Sequence, residues 1–329
     1  MQPKKNYFIL QANDPTINVS WVNSNVHPFR SVYSTFSDCS KSYLHLVGYE
    51  EVTDSIKEIT SCPTTSLPFP PTSIKFIPKS NPINDMIITS GDNLRLFCVP
   101  QSNDIFQLSV IDVSYSAYPS CGFDWCRVNT DLVCAWYLNN TCCVWSIESS
   151  QIIASFSNHI TQQILDMKYS PSSPDLFITS CVNGLIQITD IRSTSNFQLF
   201  PQGNQKLDLL QVSWNTIDPT KIATFNSLGN QLFIMDIRQP TKLYNHLQLD
   251  TTNITSIDWS PTSSSEICLG TFKSILIWSQ NSKLNKQCCC NNLLETQTKS
   301  EVNDVCWSKS NTNWIAASIG SSIHFLHVY

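Results

Sequence analysis

Seven passages of the chain share one grammar: an aromatic residue, a polar turn, then a short β-branched run ending in Ser, Thr or a small residue. They begin at Trp21, Phe76, Trp125, Tyr169, Trp214, Trp259 and Trp307. From Trp125 onward the anchors stand 44 to 48 residues apart, the length of a four-stranded propeller blade. Five copies place an apolar residue eight positions after the anchor, at Val133, Phe177, Ile222, Ile267 and Ile315. A unit repeated at this period cannot bury its hydrophobic face alone, so it must stack on its neighbours. Seven such units fill all 329 residues as a single domain, 1–329.

Each unit runs strand, turn, strand, turn, strand. In the fourth, Ile164–Tyr169 alternates and Ser170–Asp175 breaks the pattern. Leu176–Ser180 is apolar and β-branched, Asn183-Gly184 turns, and Leu185–Thr189 returns. Asn-Gly between apolar runs is a strong hairpin signal because both residues tolerate φ > 0. Third strands are expected at Leu44–Val47, Leu94–Phe97, Cys142–Trp145, Ile186–Thr189, Phe233–Met235, Leu276–Trp278 and Phe325–Leu326. Outer strands are expected within the longer connections 51–67, 104–118 and 280–302. The aromatic residues Trp125, Trp145, Trp214, Trp259, Trp278 and Trp307 are expected to pack between blades.

The last unit lacks a fourth strand, since its third ends at the C-terminus. The chain opens with Tyr7-Phe8-Ile9-Leu10, an apolar run with no blade of its own. Pairing the two removes two exposed edges. The expected fold is all-β, a seven-bladed β-propeller closed by an N-terminal strand that completes the last blade.

Charged residues make up 14% and hydrophobic ones 41%, which suits a large all-β core. The net charge is −5 and there is no basic block beyond Lys4-Lys5, so direct nucleic-acid binding is not expected. No apolar run approaches a membrane span, and the opening residues are too polar for a signal peptide. Fourteen cysteines in a chain of this length, several inside apolar stretches, suit buried thiols in a reducing compartment. Cytosol and nucleus are the expected locations. No P-loop, HExxH, nucleophile elbow or dinucleotide fingerprint occurs. The triplet Cys288–Cys290 is poorly suited to tetrahedral zinc, because adjacent thiols do not converge on one ion.

The peptides Ser90-Gly-Asp-Asn-Leu-Arg-Leu-Phe97, Phe123-Asp-Trp125, Thr141-Cys-Cys-Val-Trp145 and Thr189-Asp-Ile-Arg192 follow one another in a particular order. Trp214-Asn-Thr-Ile-Asp-Pro219, Met235-Asp-Ile-Arg-Gln-Pro240, Asn245-His246, Trp259-Ser-Pro261 and Leu276-Ile-Trp278 continue it. In order and spacing the chain resembles the WD-repeat regulators typified by the plant transparent-testa-glabra protein. Their animal counterpart is a cullin-4-associated factor that binds DYRK-type kinases. The resemblance implies a scaffold without catalysis or cofactor, expected to be a monomer. Its implied partners are DYRK-like kinases and transcription factors of the MYB and helix-loop-helix type. The alternative it implies is a substrate receptor of a cullin-RING ligase, bound to the cullin-4 adaptor propeller.

Two Asp-x-Arg tripeptides, Asp190-Ile191-Arg192 and Asp236-Ile237-Arg238, follow the third strands of consecutive units. In cullin-associated receptors a W-D-x-R element at this place contacts the adaptor; here Thr189 and Met235 replace the Trp. Each Arg either makes such a contact or ties down its own blade by bonding a neighbouring carboxylate or carbonyl. Asp92 resembles the hairpin Asp that bonds a loop His in WD repeats. Asn183 stands in its place in unit four, and His159 and His246 are the candidate partners. Asp92, Arg95, Asn140, Asn183, Asn230 and Lys273 are candidates for one face of the molecule.

Overall fold

The structure is a computed structural model that describes residues 5–24, 27–37, 41–59, 66–79, 84–113, 117–156, 163–182, 184–193, 196–199, 209–226, 228–240, 243–249, 253–280, 292–298 and 300–328. After β1 (Tyr7–Gln11), blade 1 contains β2 (Thr16–Trp21), β3 (Ser31–Ser37), β4 (Lys41–Glu50) and β5 (Ser55–Glu58), with β6 (Ser66–Leu67) added on β4. Blade 2 is β7 (Ser73–Phe76), β8 (Asn84–Ser90), β9 (Arg95–Pro100) and β10 (Phe106–Val110). Blade 3 is β11 (Ser120–Trp125), β12 (Leu132–Tyr137), β13 (Cys142–Ser146) and β14 (Gln151–Phe156). Blade 4 is β15 (Ile164–Tyr169), β16 (Leu176–Cys181), β17 (Ile186–Asp190) and β18 (Asn196–Leu199). Blade 5 is β19 (Leu209–Trp214), β20 (Lys221–Asn226), β21 (Gln231–Asp236) and β22 (Leu243–Gln248). Blade 6 is β23 (Ile254–Trp259), β24 (Glu266–Thr271), β25 (Ser274–Ser279) and β26 (Asn292–Gln297). Blade 7 is β27 (Val302–Trp307), β28 (Trp314–Ile319) and β29 (Ser322–His327), completed by β1.

The fold is all-β, and the seven antiparallel sheets are the blades of a β-propeller. The chain forms two compact units, Met1–Cys121 with Ser300–Tyr329, and Gly122–Lys299. Blades 7, 1 and 2, with Ser120 and Cys121 at the start of β11, belong to the first unit, and the rest of blade 3 with blades 4 to 6 to the second.

Every anchor aromatic is the last residue of a first strand, and each is buried. The eight-residue spacing is cross-strand register: Tyr169 lies opposite Phe177, Trp214 opposite Ile222, Trp259 opposite Ile267 and Trp307 opposite Ile315. In blades 1 and 2 the partners are Trp21 with Ser31 and Phe76 with Ile87, so their turns are longer. That is why only five copies show the spacing.

Hydrophobic clusters draw on pairs of blades. In the first unit, Trp21, Phe29 and Tyr33 of blade 1 pack with Phe8, Trp314 and Phe325 of blade 7. Phe29 meets Trp314 edge-on with ring centroids 5.0 Å apart, a favourable aromatic geometry. In the second unit Trp214 packs with Ile178 and Ile188, and Trp259 and Trp278 pack with Phe225 and Ile234.

The expected closure is present. Tyr7, Phe8, Ile9 and Leu10 lie opposite Leu326, Phe325, His324 and Ile323. Outer strands β10, β14 and β22 each carry a β-bulge, which blunts an otherwise pairable edge. The extra residues are Leu108, Ile153 and Tyr244, all exposed.

Candidate functional site

Residues immediately after the anchors build the turns that the polar passages announce. Ser170 Oγ accepts the Ser172 amide, Ser260 Oγ those of Thr262 and Ser263, and Ser308 Oγ that of Asn311. Asn215 Oδ1 accepts the Ile217 and Asp218 amides, and Cys126 Sγ accepts that of Asn129. Indole N–H groups of Trp125, Trp214 and Trp307 each donate 2.7 Å to the carbonyl five residues on: Thr130, Pro219 and Thr312. These Ser-rich turns are thus self-satisfied.

Within each unit, first-strand side chains bond neighbouring blades. Asp304 accepts the Val19 amide and Ser20 the Phe76 amide in the first unit. In the second, Asp124 accepts the Tyr169 amide, Asp166 that of Val212 and Gln211 that of Ile257. Asp166 also holds Lys168 Nζ at 2.7 Å through both oxygens. Asp304, Asp124 and Asp166 of the first strands are therefore spent on backbone amides of a neighbouring blade, a use that no local sequence pattern announces.

The two Asp-x-Arg tripeptides have one geometry. Arg192 Nε and Nη2 donate to Asp190 at 3.2 and 3.0 Å, and Arg238 donates in the same way to Asp236 at 2.9 and 2.6 Å. Each Asp also accepts the amide of its own Arg at 2.9 Å. Hydrogen bonds from Arg192 hold the Asp190 carboxyl below its ordinary range, and Arg238 does the same for Asp236. Arg192 reaches Asp175 at 3.4 Å as well. Both Arg side chains are 68% exposed. A fork held through Nε and Nη2 keeps its outer N–H groups directed to solvent.

Asp92 bonds Arg95, three residues on in the same hairpin. Burial works to raise its carboxyl, but the hydrogen bonds and charge of Arg95 outweigh it and hold the group low. His246 sits in outer strand β22, not in a loop before a first strand, because Leu243–Gln248 alternates half-buried and exposed. His159, Asn183 and Cys288–Cys290 lie outside the described residues.

One end of the blades carries the remaining candidates. Register places the start of each first strand beside the turn joining second and third strands, as with Ile254 and Thr271. In the second unit a bulge there sets Leu210 outward, and Leu138, Leu228 and Phe272 stand exposed on the turns near Asn140, Asn230 and Lys273. Asn140 takes φ 61° and Gly229 φ 71°, the left-handed conformation these turns need. Among the described residues no group of His, Cys, Asp and Glu gathers that holds a metal. Thr35, His45 and Glu58 do align as hydroxyl, imidazole and carboxylate. Thr35 is 2% exposed, so its hydroxyl is closed to a substrate and the set links three strands of blade 1.

No family model matches the chain. A protein of Dictyostelium discoideum named DDB1- and CUL4-associated factor 7 homolog is 27% identical over 327 residues, covering 97% of this chain and 98% of that protein. With the seven blades above, that end-to-end likeness decides the class. The chain is a WD-repeat protein. A WD repeat-containing protein of Saccharomyces cerevisiae is 22% identical over 83% of this chain and 58% of its own length. The GATOR2 complex protein WDR59 of Gallus gallus is 29% identical, over 36% of this chain and 12% of that protein. These WD-repeat relatives are similar to this chain along different spans, and only the first matches it from end to end.

Proposed function

We propose that this WD-repeat chain is a non-enzymatic scaffold that holds protein partners together, with DYRK-type kinases and MYB or helix-loop-helix regulators as the partner classes. The observation that carries this reading is the likeness over 97% of the chain to a protein named as an associated factor. Side-chain use agrees with it. Buried polar groups of the first strands serve the blades, while Leu138, Leu228, Phe272, Arg192 and Arg238 face solvent. Two partners held on separate surfaces of one scaffold raise each other's effective concentration. Thiols at Cys98, Cys134, Cys143, Cys181 and Cys268, all buried, suit residence in cytosol and nucleus. Affinity purification of the tagged intact chain from its native cells tests the reading. A kinase or transcription regulator at near-stoichiometric yield is expected, and recovery of neither refutes it.

A second reading, substrate receptor of a cullin-RING ligase, is favoured by the paired forks at Arg192 and Arg238. The double variant Arg192→Ala/Arg238→Ala is expected to lose capture of the purified adaptor propeller at least tenfold without a change in melting temperature. Both side chains are 68% exposed, so the fold does not depend on them. Undiminished capture removes this reading.

A further inference from the structure

Two aromatic–proline steps, Phe69-Pro70 and Tyr118-Pro119, occupy one place in consecutive blades: each aromatic lies seven residues before its anchor, Phe76 or Trp125. Both belong to the first unit. The two aromatic residues are 61% and 46% exposed. Both steps arrive at the turn that joins β8 to β9. The Gly91 amide donates to Ser120 Oγ at 3.0 Å, and that hydroxyl donates back to the Gly91 carbonyl at 3.3 Å. On the other side, a Cβ at Gly91 would lie 3.5 Å from the Pro70 carbonyl.

The backbone under the rings is held. Residues that precede proline are confined to extended conformations, and proline fixes its own φ. Leu67 is buried and pairs with Ser42, and the Pro71 carbonyl accepts Asn18 Nδ2 at 2.8 Å. The charged side chains of the turn between the two steps, Asp92 and Arg95, bond each other. This surface therefore offers two exposed aromatic side chains on a held backbone, with an ion-paired centre. A highly charged ligand gains little there, whereas an uncharged, extended chain of apolar rings matches both features.

We propose that this end of blade 2 binds a proline-rich, uncharged segment of a partner protein in the polyproline II conformation, with Phe69 and Tyr118 taking proline rings on their faces. Such a segment arrives already extended and loses little entropy, and aromatic faces are its usual receptor. The proposal rests on the scaffold reading for the existence of a protein partner. Its failure leaves that reading standing, because kinase or regulator capture is measured separately.

Fluorescence anisotropy of a labelled all-proline peptide, titrated with the intact protein, is the test. Saturable binding is expected, with none for a Gly/Ser peptide of equal length. Tyr118→Ser and Phe69→Ser should each weaken it about tenfold, and Tyr118→Phe should leave it intact, since the ring face is what binds. If Phe69→Ser lowers the melting temperature, Tyr118→Ser decides alone. No binding, equal binding of the Gly/Ser peptide, or full binding by Tyr118→Ser overturns the proposal. So does capture of an isolated SH3 or WW domain by these steps without peptide binding.

Discussion

Arg30 and Asp85 form an ion pair at 2.7 Å with side chains only 5% and 4% exposed. Arg30 also donates to Asn103 at 2.6 Å, so the charge that ties blade 1 to blade 2 is satisfied on both sides. Removing one partner leaves the other charge buried and alone. Asp85→Ala is expected to cost about 3–5 kcal/mol in denaturant unfolding, and a double replacement of both residues by apolar ones much less. His324, in the seam with β1, depends on pH instead. Ser322 Oγ donates to the Ile319 carbonyl, so it accepts from His324 Nε2–H, and Nδ1 accepts the Tyr7 hydroxyl. Burial lowers the His324 pKa from 6.5, so the folded state favours the neutral ring. Its contribution is full above about pH 6.5 and is lost as pH falls below it. Thermal unfolding between about pH 8 and pH 5 is expected to show that fall, reduced in His324→Gln.

At the scale of elements, Gly122 shows how closely the strands of one blade meet. A Cβ there would lie 2.2 Å from the Trp136 ring, so Gly122→Ala forces the indole or the backbone aside. A loss of about 1–3 kcal/mol is expected, largely restored when Trp136 is shortened to Leu in the same chain. Strand order was legible in the sequence because it depends on local turns. The partners of Trp214, Trp259 and Trp307 followed from an eight-residue spacing that a fixed antiparallel turn imposes. The bonds from Asp124, Asp166 and Gln211 to the next blade were not legible, since a donor 45 or 46 residues away is set by blade stacking and leaves no local pattern. Asp92 bonds Arg95 only three residues on, a pairing that the WD-repeat resemblance, which suggested a loop His, did not single out.

For the whole molecule the decisive element is β1, separated from β29 by the length of the chain yet paired with it across five residues. Phe8 and Trp314 meet with ring centroids 5.7 Å apart, and Phe8 joins the cluster that spans blades 7 and 1. Joining head and tail makes the last blade a four-stranded sheet and leaves neither β1 nor the outer edge of β29 unpaired. Phe8→Ala is expected to cost about 3–5 kcal/mol, as for other buried aromatics. Closure is tested most directly by native-state hydrogen exchange on the intact chain. The amides of residues 7–11 are expected to exchange as slowly as those of β29 and to open together with them. Rapid exchange of residues 7–11 beside a protected β29 would contradict a blade completed by the chain's own beginning.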